Sequence, residues 1–268
     1  MFSAALVTKL FVSPLLIGLA SLAGKRWGPG ASGLLGGLPL VGAPVVLVLW
    51  LASGPEVAHR AAATAPIGVW ATMTYLLVFG FASARFRWYG ALGIGWLSYL
   101  ATAAFLHYSG LDQQPWLGFA VVPALYLAAT RVLPSPASPP QGVHLPPQEL
   151  FARMAAAVVL ITVLTSVASL IGPDFTGVLA GAPVAATVIP AFTFAMAGRD
   201  PLLRALRGFL SGLLGFALFF IVLAALMPRL GFLALLPATL AAVAIGLVGA
   251  RLVQRQQLAL TPRAAETP

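Results

Sequence analysis

The chain has 268 residues, 60% of them hydrophobic and 8% charged, with a mean hydropathy of +0.98. Soluble domains carry about a quarter charged residues, so a water-exposed globule is excluded. Apolar runs approaching the ~20 residues that cross ~30 Å of hydrocarbon place the chain in the helical membrane class. The net charge of +9 comes from 15 Lys and Arg against 6 Asp and Glu. These cations sit in short loops between apolar runs, where the positive-inside bias accounts for them without nucleic acid as a partner. Cysteine is absent, which removes disulfides, thiolate metal sites and cysteine nucleophiles.

In chain order the first expected crossing is Ala4–Gly24, a retained helix rather than a signal peptide, because Lys25 and Arg26 follow the apolar stretch instead of preceding it. The next are Gly33–Ser53, Ala62–Ala84, Tyr89–Tyr108 and a short fifth run, Trp116–Leu133, that contains Pro123 and ends at Arg131. Then come Leu150–Ile171, Thr176–Ala197, Gly208–Met227 and Gly231–Ala250, nine in all. With the N-terminus outside, nine crossings put Lys25, Arg26, Arg85, Arg87, Arg131, Arg153, Arg199, Arg204, Arg207, Arg251, Arg255 and Arg263 in the cytoplasm. Only Lys9, Arg60 and Arg229 remain outside. Omitting the fifth crossing makes the basic-loop bias weaker, so the charge pattern favours nine.

The two halves repeat. Gly28-Pro29 is followed by Ser32, Gly33, Leu35, Gly37 and Pro39, and Gly172-Pro173 by Thr176, Gly177, Leu179, Gly181 and Pro183. The same shift of 144 residues, from Pro29 to Pro173, carries Lys9 onto Arg153, Gly54 onto Gly198, Glu56 onto Asp200 and Arg60 onto Arg204. The fold expected is an all-α polytopic membrane protein with two four-helix repeats, inverted in topology because a fifth crossing separates them. Residues 1–108 form the first repeat, 109–133 the linking transmembrane helix and 149–251 the second repeat, with 252–268 a cytoplasmic tail. Between the halves, 134–148 holds six prolines, a composition that favours an extended cytoplasmic linker over a helix.

Candidate chemistry concentrates in the second helix of each repeat. Gly33, Gly37, Pro39 and Pro44 in one, and Gly177, Gly181, Pro183, Thr187 and Pro190 in the other, combine helix-breaking prolines with small residues. Proline removes an amide donor and clashes with the preceding turn, and paired Gly/Pro-interrupted segments point to a substrate site. Close helix packing through small residues is the alternative. Lys9 and Arg153 stand in the first turns of their helices; they either snorkel or line a vestibule that draws in anions. Glu56 with Arg60, and Asp200 with Arg204, have i,i+4 spacing, which makes each a local ion pair at a helix start or a gating pair. Asp174 is an N-cap or a proton or ion site. His107 is a lone titratable residue, and Tyr75, Trp96, Tyr99 and Tyr126 read as interface or packing aromatics.

No expected span has Asp or Glu near its centre, and the sequence contains no Walker loop, HExxH motif, nucleophile elbow or paired-carboxylate constellation. Neither a cofactor, a metal nor an enzyme is expected. Each half resembles the GlpM family of small four-helix inner-membrane proteins. The resemblance runs through Thr8-Lys9-Leu10, Ile17-Gly18, Ser32-Gly33-Leu34 with Pro39 and Pro44, then Gly54-Pro55-Glu56 and His59-Arg60-Ala61. In the second copy it runs through Arg153, Gly177 to Pro183, and Asp200 to Arg204-Ala205. It implies a bacterial inner membrane, with two copies fused around an extra helix. The function expected is a secondary transporter or facilitator of a small solute, with anions the favoured class and the lipid bilayer its surroundings. A non-transporting scaffold or accessory protein for envelope polysaccharide or lipid assembly is the second reading.

Overall fold

A computed structural model describes residues 13–39, 54–111, 114–138, 146–171 and 183–260, together with positions 11, 43, 46, 47, 50 and 51. The described chain is helical throughout, without a strand. Its elements are α1 (Ser13–Trp27), α2 (Pro29–Gly37), α3 (Pro55–Ala82), α4 (Trp88–Tyr108), α5 (Pro115–Val132), α6 (Pro147–Ile171), α7 (Val184–Ala197), α8 (Arg199–Leu230), a 3₁₀ turn at Gly231–Ala234 and α9 (Leu235–Leu260).

Nine equivalent crossings are not what the described residues show. Three helical segments are long and apolar enough to span a membrane: Pro55–Ala82, Trp88–Tyr108 and Arg199–Gly249. The third bends at Gly231, with φ 58°, and α9 folds back along α8 so that Gly215 meets Ala242 and Gly249 meets Ser211. The second and seventh expected crossings are each interrupted at a proline within the described residues. Leu38 leaves the helix at φ −69°, ψ 159° ahead of Pro39, as the steric demand of a following proline requires, so α2 has nine residues. In the second half α7 has 14 residues with Pro183 at its cap, and 172–182 lie outside the described residues. The third and eighth helices instead begin earlier than expected, at Pro55 and Arg199, and take the charged segments into their first turns.

Two glycines set these long helices going. Gly54 caps α3 at φ 90°, ψ 169° and Gly198 caps α8 at φ 86°, ψ −170°, a backbone region open essentially to glycine alone. A Cβ there meets nothing within 4 Å, so strain is the whole cost of filling either site. Gly54→Ala and Gly198→Ala are each expected to destabilise by about 1–3 kcal/mol, and by similar amounts, as thermal unfolding in detergent would register.

The two caps are related by the 144-residue shift, and so is the core between them. Ala58 and Leu202, Ala62 and Leu206, Tyr75 and Phe219, and Phe79 and Leu223 are equivalent pairs, and all are fully buried. Helices α3 and α8 cross antiparallel. His59 at the start of α3 bonds through Nε2 to the Ala224 carbonyl, 3.0 Å away near the end of α8. At the other end of the crossing, Gly80 faces Leu203 and Leu206. Under the shift His59 becomes Leu203 and Gly80 becomes Ala224, so the contact at one end is the counterpart of the contact at the other.

Helix α2 lies on α8 with backbone touching backbone. A Cβ on Gly33 would overlap the Ala205 carbonyl oxygen and sit 2.8 Å from its carbon. A Cβ on Gly208 would overlap the Gly30 oxygen, and one on Gly37 would lie 2.6 Å from Phe209 O and 2.9 Å from the Cα of Gly212. Small residues on both faces permit this approach, the usual route to tight helix association in lipid. The outward faces stay apolar: Leu97, Phe105, Phe151, Leu236 and Leu240 are all exposed. Thr74 and Thr193 satisfy their hydroxyls inside their own helices, donating to Trp70 O and Ile189 O.

Candidate functional site

Helix α6 begins with Pro146-Pro147, and proline suits the first helical position, where its missing N–H costs nothing. That start places Glu149 in the first turn and Arg153 one turn on. The two side chains pair deep inside the protein, 4% and 2% exposed. Arg153 donates to a single carboxylate oxygen, Glu149 Oε1, through Nη2 at 2.6 Å and Nε at 3.1 Å. Glu149 Oε2 is buried with no hydrogen-bond partner. From α1, Ser21 Oγ lies 3.5 Å from Arg153 Nη1 while donating its own proton to Ile17 O. From α7, the Phe192 ring lies 5.7 Å from the guanidinium carbon. Gly18 leaves room for Met154 and Leu150 beside the pair, since a Cβ there would come 3.1 Å from the Met154 sulfur.

Taking two charges out of water is costly unless each meets a partner. Arg153 therefore neither snorkels nor lines an open vestibule; its charge is met inside the protein by Glu149. The sequence carried a signal for this partner: Glu149 and Arg153 have the same acid-then-base spacing as Glu56 and Arg60. Starting the helix at Leu150 left the acid outside it.

The second helices of the two halves meet, with Gly36 of α2 against Ile189 of α7. Gly33 and Gly37 are taken up by the contact with α8, and Pro39 is buried just past the end of α2. Pro183 is buried at the cap of α7. Thr187 is buried beside Tyr75, next to Ala186, whose carbonyl accepts a hydrogen bond from Tyr75 at 3.2 Å. Lys9, Pro44, Asp174, Gly177 and Gly181 lie outside the described residues.

The four charges at the starts of α3 and α8 are not brought together, because those starts lie at opposite ends of an antiparallel crossing. Glu56 and Arg60 form a 3.5 Å pair with both side chains exposed, worth at most about 0.5 kcal/mol. Asp200 and Arg204 turn instead to the proline-rich segment: Ser138 N–H donates to Asp200 Oδ2 at 2.7 Å, and Arg204 Nη2 donates to the Ser138 carbonyl.

Arg207, read from the sequence only as a cytoplasmic charge, is buried one turn further on. It donates to the carbonyls of Thr130 at 3.2 Å and Leu133 at 2.6 Å and to Ser135 Oγ at 3.0 Å. These are the last carbonyls of α5, which lack partners within their own helix and favour a cation. Arg207→Met is expected to cost about 3 kcal/mol through the orphaned carbonyls and to speed proteolysis between 134 and 148, as a timed digest would show.

Among the described residues no three His, Cys, Asp or Glu side chains converge on one point. No family model, curated protein or solved structure matches the chain.

Proposed function

We propose that this protein is a secondary carrier or facilitator of a small solute, built from two inverted copies of one helical unit. An anion is the class its basic residues favour. The observation that supports this most is the antiparallel crossing of α3 and α8, whose end contacts, His59 with Ala224 and Gly80 with Leu203, exchange under the repeat shift. Inverted copies of nearly one sequence supply two conformations of similar energy, each open to one side. The buried Glu149–Arg153 pair adds a charged locus between α1, α6 and α7. On this reading the N-terminus lies outside and the C-terminus in the cytoplasm of a bacterial inner membrane, the location that the GlpM-like pattern implies.

Uptake into vesicles tests the reading with no single solute chosen in advance. Purified protein in liposomes is exposed to a mixture of small carboxylates, phosphates, amines and sugars, and the trapped contents are read by mass spectrometry. Enrichment of one solute over protein-free vesicles is expected; equal contents would overturn the proposal.

One observation favours the second reading, a membrane scaffold for envelope polysaccharide or lipid assembly. The glycine face of α2 is closed by the backbone of α8, which leaves those glycines no room to line a site in this state. A scaffold predicts stable co-purification of a partner and no flux.

A further inference from the structure

We propose that Glu149 is the proton-accepting group of this carrier and that it competes with the transported anion for Arg153. The inference rests on the carrier reading and deepens it. It starts from the unequal use of the carboxylate: Oε1 takes both arginine bonds, whereas Oε2 is buried and bonded to nothing. A carboxylate held only for structure would be expected to engage both oxygens, since an unmet buried acceptor costs free energy. Oε2 is therefore the free position for a proton.

Among the described residues the groups facing the pair are few. Ser21 comes from α1 and the Phe192 ring from α7, neither of which carries a charge. The nearest cations on α1, Lys25 and Arg26, are exposed in its last turn, one turn beyond Ser21, and the described residues of α7 include no charged side chain. Among the described residues Arg153 thus has one counter-ion, and an anion can occupy the guanidinium only when that counter-ion is neutralised. A proton from the aqueous side adds to Oε2, the Arg153–Oε1 ion pair weakens, and a monoanion takes the vacated donors. Proton and anion enter together, so the loaded site carries the same net charge as the empty one. Release reverses both steps on the other side. This is symport of one proton with a small carboxylate or phosphate monoanion.

The test uses vesicles holding wild type, Glu149→Gln, or Glu149→Gln with Arg153→Gln. The probes are lactate and inorganic phosphate, supplied with or without an acid-outside gradient. Removing Arg153 alone would strand a buried carboxylate, so the double variant is the form suited to folding, checked by its gel-filtration profile. A two-unit gradient should drive accumulation of one probe by up to about a hundredfold in wild type, a tenfold concentration ratio for each pH unit. Glu149→Gln should equilibrate the same probe without accumulating it, whatever the gradient, and the double variant should move none. Flux in wild type that ignores the gradient, or accumulation that survives Glu149→Gln, overturns the proton role and leaves the carrier standing. Transport by the double variant overturns the role of the pair. No flux of any probe in wild type overturns this proposal, whereas the broader solute mixture decides separately whether the protein is a carrier.

Discussion

Gly33→Val and Gly208→Val are each expected to abolish accumulation of folded protein. At both positions a Cβ would run into backbone, the Ala205 carbonyl in one case and the Gly30 carbonyl in the other. Overpacking usually costs about 1–3 kcal/mol because neighbouring side chains rotate away. Main chain cannot rotate away, so α2 and α8 must separate, and the cost reaches about 3 kcal/mol or more. That is a large share of the roughly 5–15 kcal/mol holding a typical protein folded. Gly68→Ala in α3 is the control. Nothing lies within 4 Å of its Cβ position, and alanine should gain about 1 kcal/mol in a helix interior. Fluorescence-detected gel filtration of the extracted protein separates the outcomes; a monodisperse Gly33→Val with wild-type melting would mean that α2 does not rest on α8.

The second large effect is at the buried ion pair. Arg153→Met leaves the Glu149 carboxylate with no counter-charge in a site 4% exposed, and breaking such a pair costs about 3–5 kcal/mol. Glu149→Gln keeps an acceptor for the guanidinium and should cost less. The double change Glu149→Gln with Arg153→Met should recover much of the loss, because the cost of a broken pair comes chiefly from the stranded charge. Melting temperatures of the four proteins form a double-mutant cycle. Additive losses would show that the two side chains do not meet.

Much of the helical plan was legible because apolar runs bounded by Arg, Gly and Pro leave little else for α4 or α5 to be. The edges were less so. α3 and α8 extend outward past Glu56 and Asp200 because a glycine at positive φ, not the polarity of the next residues, decides where each helix begins. Pro39 and Pro183 signalled interrupted helices, yet the sequence offered two uses for the neighbouring glycines, a solute site or a close crossing. Gly33 meets Ala205, a residue far away in the chain, and no local pattern announces such a partner. The same gap explains Asp200 and Arg204: helical spacing pairs them with each other, but the linker passes within reach and Ser138 takes both. The 144-residue repeat was read from its motifs. That its equivalent positions are buried together, Tyr75 with Phe219 and Phe79 with Leu223, is something only the packing reveals.

The carrier reading depends above all on equivalent helices running in opposite directions, and the absence of native cysteine makes that direct to measure. Thiol pairs are introduced by His59→Cys with Ala224→Cys, and by Gly80→Cys with Leu203→Cys, then bridged with a short bifunctional thiol reagent in native membranes. Both pairs should cross-link within one chain, while His59→Cys with Leu203→Cys and Gly80→Cys with Ala224→Cys should stay unbridged. The reverse pattern would show parallel copies and contradict the two-fold arrangement that alternating access requires.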